Sequence, residues 1–302
     1  MAEESAAPPP AAMKRGMGGA MVALIVIVVA LIAFFAGAYV GAPLLGLTGA
    51  QRESVVVGTN TPFPPMEYRD PTTNALIGLD IDLMNEIGKR NSWNIVWQDF
   101  QDWDALLAAI EFQGVDIGAS SITSNLPGDQ GAAREAAFDF SDTYYEADQA
   151  VLIKVGSTAV ACAAAECTTA ELANHTVAVQ TLTSSYWWVF GNLVDTAMTP
   201  ESMVSDFGDV NSVIQELTND RVQWVLVDKP IAEKLVEGNS QLEIAGTIET
   251  DELYAFAVAD GDPGMDGDKA TTGDRLLPKI NSALAAMRAD GTFDRISDKW
   301  LG

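Results

Sequence analysis

Arg134 is the one positive charge between Arg90 and Lys154, in a protein whose formal net charge is −25. A guanidinium presents planar donors that match both oxygens of a carboxylate. A lone arginine amid such acidity is therefore a candidate carboxylate fork. The plainer alternative is a surface ion pair, which contributes little. Ser120, Ser121 and Thr123 precede it, where the apolar run VDIGASS ends, and offer hydroxyls and backbone amides. REAAFDFSDTYY follows and reads as an aromatic, buried turn.

Two further strand ends carry chemistry. Thr183, Ser184 and Ser185 stand between the apolar TVAVQ and a helix beginning near Tyr186. Helix N-terminal amides bind anions, although taken alone the more common role of such residues is an ordinary helix cap. Asp228 ends VQWVLVD ahead of Lys229 and Pro230, placed either to accept an ammonium or to cap the next helix. Phe63 and Trp103 are candidate apolar walls, though aromatics at such sites are more often core. Together, a guanidinium, a carboxylate and two aromatics describe a pocket for a free α-amino acid. Charge-assisted hydrogen bonds of about 1.5–3 kcal/mol each, with a buried side chain, reach the ~8 kcal/mol of micromolar affinity.

The elements that must position these groups are legible from alternating patterns. SVVVG reads as a strand and GTNTPFPP as the loop at its end. GLDIDLMNEIGKR suits a strand edge passing into a helix, with Asp82 near the helix start. WDALLAAIEF is a helix before the strand VDIGASS. The alternation restarts near Ala150 with AVLIKV, a short helix over 168–173 and TVAVQ. VQWVLVDKP leads into IAEKLVE, and LYAFAVA is followed by helices to the end of the sequence. Two α/β units in sequence predict two lobes, mostly parallel sheet, and a cleft at the C-terminal strand ends.

Length and composition agree. The chain's 302 residues suffice for two cores, and 48% hydrophobic with 20% charged residues is a globular balance. The acidity excludes nucleic acid and anionic membrane surfaces as partners. Lys14 and Arg15 precede an uncharged run whose most apolar part, Ala20–Val40, is 21 residues long, enough to span a bilayer. The charge placement puts residues 1–19 in the cytoplasm and the chain after a 41–53 linker outside. A retained anchor is favoured over a cleaved signal peptide, which would leave the protein secreted. Cys162 and Cys167 are the only cysteines, and in that compartment a small-loop disulfide is their natural reading. With His175 the single histidine, two thiols do not make a metal site, and neither metal nor cofactor is expected. Asn174-His175-Thr176 is a glycosylation sequon of a kind common by chance.

From Val55 to Gly302 the chain resembles the extracellular solute-binding proteins of polar amino-acid ABC transporters. GTNTPFPPMEY with GLDIDL, GVDIGASSIT, REAAFDFSDTYY, TVAVQ, WVLVDKP and DGTFDRISDKWLG match in order and spacing. The resemblance implies an α/β, two-lobed type II periplasmic-binding fold with its ligand cleft between the lobes. The first lobe is then 54–147 with 250–302, and the second 148–249, hinged near Tyr145–Gln149 and Thr250–Tyr254. Arg134 would grip the α-carboxylate, with the Thr123 amide, Thr183 and Ser184. The Ala119 carbonyl, the Ser121 hydroxyl and Asp228 would take the α-ammonium. Phe63 and Trp103 would flank the side chain, and Asn60 and Gln180 would tune its polarity. Both are neutral, so a neutral polar side chain is expected. The implied partners are the amino acid, a permease with its ATPase and, through the N-terminal helix, the membrane; a monomer is expected.

Two departures from the family pattern stand out. Members place the arginine close behind the threonine, whereas here Thr123 and Arg134 are eleven residues apart, and the intervening SNLPGDQG is expected to bulge from the loop. Leu182 stands where a glycine is expected. The rival readings are a cleft-based dehydratase, which needs a pocket carboxylate such as Glu67 with a raised pKa, and a membrane-anchored amino-acid sensor.

Overall fold

The computed structural model describes residues 53–264, 267 and 275–302. The proposed anchor over Ala20–Val40 lies outside them; among the described residues no helix is long and apolar enough to cross a membrane.

The β-branched run Val55–Val57 makes β1 (Glu53–Asn60), followed by the ribbon β2 (Tyr68–Arg69) and β3 (Leu76–Ile77). Helix α1 (Leu79–Arg90) starts at Leu79, so the expected strand edge is already helical. β4 (Trp93–Phe100), α2 (Trp103–Glu111) and β5 (Ile117–Thr123) complete a β-α-β unit. In α2, Trp103, Leu106 and Ile110 fall on one face and are buried. Next come α3 (Gly128–Ala137), β6 (Phe138–Phe140) and β7 (Tyr145–Lys154).

The second half holds α4 (Thr169–Leu172), β8 (Val177–Gln180), α5 (Ser184–Val189) and β9 (Val204–Phe207). α6 (Val210–Thr218) buries Val210, Val213 and Leu217 on one stripe, and Asp209 caps it by accepting from the Ser212 amide at 3.0 Å. β10 (Trp224–Asp228), α7 (Lys229–Gly238), β11 (Leu242–Ala259), α8 (Leu276–Ala289) and α9 (Thr292–Leu301) finish the chain. Cys162 and Cys167 are disulfide-bonded.

The strands run in the order β4-β1-β5-β11-β7-β10-β8-β9. β4, β1 and β5 are parallel, as are β10, β8 and β9, and the two groups are the sheets of the two lobes. Antiparallel β11 and β7 join them. β11 is longer than the apolar LYAFAVA suggests, because its polar first half also pairs with β7, from Leu242 opposite Lys154 onward. Pairing breaks between Ile248 and Glu252, where Asp251 takes a φ of 47°. Helices α8 and α9 pack with α1.

The segment Ser124–Gly131 does not bulge. Leu253 donates its amide to Asn125 Oδ1 at 2.8 Å, and Asn125 Nδ2 donates to the Asp251 carbonyl at 2.9 Å, which pins the turn to β11. Gly128–Gly131 then form the first turn of α3, the helix that carries Arg134.

Candidate functional site

Four strands end at one place. Asn60 closes β1, Thr123 closes β5, Gln180 closes β8 and Asp228 closes β10, and all four line a single cavity. Ligand sites of α/β sheets lie outside such carboxyl ends. Phe63, Trp103, Ser121, Arg134, Thr183 and Ser184 line the same cavity, so ten of the eleven residues singled out in the sequence converge. Ala119 does not: it is fully buried within β5, one residue short of Ser120. Glu67, Ser120 and Ser185 join the polar lining, while Val210, Val213, Leu226 and Val227 add apolar surface.

The lobes are drawn together. Gln180 Nε2 donates to Asn60 Oδ1 at 3.0 Å, the Trp103 amide to the Gly208 carbonyl at 3.0 Å, and Arg134 Nη2 to the Leu182 carbonyl at 2.9 Å. The space left between them is small, about 30 Å3. This is a closed cleft.

Arg134 is 7% exposed and donates from Nη1 to the Thr123 carbonyl at 3.0 Å. With Leu182, two backbone carbonyls orient the guanidinium and occupy two of its five N–H groups. Burial lowers its pKa to about 10, against the pull of Glu252, so it is charged at neutral pH.

The buried acids of the region have hydrogen-bond partners of their own. Asp228 Oδ1 accepts from Gln149 Nε2 at 2.5 Å, and Oδ2 accepts from the Tyr254 hydroxyl. Burial, then the charge of Glu252, raises the Asp228 pKa to about 7. Glu67 accepts from the hydroxyls of Ser120 at 2.8 Å and Ser121 at 3.2 Å. Burial, with Asp80 nearby, pushes it well above the usual carboxylate range. Asp80 accepts from the Ser121 amide at 2.8 Å and the Tyr144 hydroxyl at 2.7 Å, and burial raises it to about 7. Glu252 Oε2 accepts from Thr123 Oγ1 at 2.9 Å, and its Oε1 from Gln149 Nε2 at 2.8 Å. All four carboxyl groups are buried, and of these Glu252 is the one whose charge acts on Arg134.

The common readings hold for some residues alongside the cavity. Thr183 caps α5, accepting from the Tyr186 amide at 3.3 Å. Trp103 belongs to an apolar cluster with Leu106, Ile110 and Phe138. Asp228 does not cap α7 with its side chain; its oxygens face Gln149 and Tyr254. Asn60 and Gln180 hold each other, and their remaining amide bonds go to the carbonyls of Phe100 at 2.9 Å and Gly208 at 3.1 Å. Sequence reasoning placed Gln149, Glu252 and Tyr254 in the hinge segments but did not single them out as site residues; a carboxylate and a tyrosine heading the apolar strand LYAFAVA were the local signal.

Two α/β lobes closed over a cavity at their strand ends, lined by a buried arginine and a buried aspartate, define a solute-binding protein. The chain belongs to the bacterial extracellular solute-binding proteins, family 3, whose family model matches residues 55–302. The family is one of binding proteins, not of enzymes. Among its relatives is the arginine-binding extracellular protein ArtP of Bacillus subtilis, 24% identical over 257 residues, covering 83% of this chain and 87% of ArtP. The ABC transporter glutamine-binding protein GlnH of the same organism is 25% identical over 249 residues, covering 82% of this chain and 81% of GlnH. The solved structure of an ancestral arginine-binding protein bound to arginine superposes with a TM-score of 0.68 at 29% identity, covering 83% of this chain and 99% of that one.

Proposed function

We propose that the protein captures a free α-amino acid outside the cell and delivers it to the permease of an ABC transporter, whose ATPase drives import. The single observation that carries this reading is the juxtaposition of Arg134 and Asp228 in one closed cavity. Arg134, with Thr123, Thr183 and Ser184, takes the α-carboxylate. Asp228 and Ser121 take the α-ammonium, and Phe63 and Trp103 flank the side chain. The lobes 54–147 with 250–302, and 148–249, close about the crossing strands, where β11 breaks its pairing with β7. Closure brings Asp228 and Ser184 to Arg134, so the ligand favours the closed state by its extra contacts there. The protein acts as a monomer, held to the membrane by Ala20–Val40.

The side chain is polar, and the charge balance bears on which kind. A zwitterion matches Arg134 and Asp228, and a further negative charge would meet the buried, acid-lined cavity floor at Glu67. Asn60 and Gln180, the basis for expecting a neutral side chain, hold each other and backbone carbonyls. A cationic or amide side chain therefore fits better than an acidic one. Calorimetry against the common amino acids tests this: binding of arginine, lysine or glutamine with silence for aspartate and glutamate is expected, and the reverse order overturns the assignment.

The dehydratase reading asked for a pocket carboxylate with a raised pKa, and Glu67 is one. Both of its oxygens, however, are held by Ser120 and Ser121. A substrate panel followed by mass spectrometry separates the two readings, with unchanged ligand expected.

A further inference from the structure

We propose that Leu182 is a closure latch, carried by the second lobe, whose side chain docks on the first lobe's apolar cluster while its carbonyl fixes Arg134. Three observations support it. The Leu182 side chain packs against the cluster of Trp103, Leu106, Ile110 and Phe138, all on the far side of the cleft. Its carbonyl accepts from Arg134 Nη2 at 2.9 Å and from Trp103 Nε1 at 3.4 Å, both donors of the first lobe. Its backbone φ is 56°, in the left-handed region where a Cβ is strained.

A side chain held in a strained conformation persists where its surroundings over-determine it. Here the apolar cluster and the two donors around Leu182 belong to the opposite lobe. The turn itself is built from second-lobe bonds: the Thr181 amide donates to the Phe207 carbonyl at 2.9 Å and Thr183 Oγ1 to the Gln180 carbonyl at 2.7 Å. Opening the cleft would expose the leucine to water, release the carbonyl from two donors and keep the strain. Leu182 therefore stabilises closure before any ligand contributes, and it ties the guanidinium's orientation to closure. It is a positioning residue, acting through Arg134 rather than by touching the amino acid.

Leu182→Gly isolates the side chain, because glycine adopts the same φ freely and keeps the carbonyl. Spin labels at the exposed Asp104 of α2 and Asn211 of α6 report the gap between the lobes. In the ligand-free full chain, pulsed dipolar spectroscopy should show a dominant short distance for the parent. The Leu182→Gly variant should lose on the order of fivefold to tenfold in its closed-to-open ratio, as expected when part of a leucine's burial is lost. Leu182→Met, which retains an apolar arm, should restore the short distance. Identical distance distributions for the parent and Leu182→Gly overturn the proposal, as does an open Leu182→Met that melts like the parent. The measurement needs no amino acid, so its failure is separable from failure of the transport reading.

Discussion

Gln149 Nε2 lies 2.5 Å from Asp228 Oδ1 and 2.8 Å from Glu252 Oε1, so one buried amide on β7 holds two carboxylates. Its own Oε1 accepts from Ser185 Oγ at 2.7 Å. Replacing it with leucine removes the shared donor and leaves two buried acids facing each other. Gln149→Leu should destabilise the protein by about 2–4 kcal/mol at pH 8, measured by urea unfolding. The loss should shrink at pH 5, where Asp228 is protonated.

Ligand-free stability should fall as pH rises. Asp228 and Asp80, raised by burial from the ordinary value 3.8 to about 7, keep their protons in the folded state over a range where the unfolded chain has released them. The folded state binds more protons between about pH 4 and pH 7, so stability declines through that window and levels off above it. Melting curves should show this slope, and Asp228→Asn should flatten part of it. Amino-acid affinity should run the other way, rising through the same window as Asp228 ionises to meet the ammonium.

Gly131 has no room for a side chain. A Cβ there would stand 1.8 Å from the Leu126 carbonyl oxygen, inside the turn that launches α3. Gly131→Ala should cost about 1–3 kcal/mol in urea unfolding and weaken amino-acid binding by displacing Arg134. Gly191, with nothing within 4 Å, serves as the contrast: alanine there should be close to neutral.

The disulfide closes a loop with a sequence separation of 5. In the chain-entropy model such a loop contributes about 2 kcal/mol. The Cys162→Ser, Cys167→Ser double variant should lose that amount in chemical denaturation while retaining amino-acid binding.

Much of the site was legible because apolar strands end on polar residues. Thr123, Gln180 and Asp228 each terminate a run of buried residues, and a strand end in a parallel sheet is where a ligand meets the protein. What lay beyond reach was pairing at long range. Gln149 and Glu252 are 103 residues apart, and nothing local in either segment announces that the Gln149 amide donates to Glu252 and to Asp228 at once. β4 was missed for another reason: its burial alternates, with Trp93, Ile95 and Trp97 inward, but Val96 on the exposed face blurs that alternation in the sequence. SNLPGDQG reads as a loop by composition. Only its bonds to β11 turn it into a fixed platform for Arg134.

The central claim is that Arg134 is the carboxylate anchor of an amino-acid trap. Titration calorimetry of the protein and of Arg134→Ala against the common amino acids tests it most directly. The account predicts micromolar or tighter binding of at least one polar amino acid, with a loss of about 3 kcal/mol or more in the variant, as when a buried charge loses its partner. Silence for every amino acid, or a loss below about 0.5 kcal/mol, the scale of a surface ion pair, would contradict it.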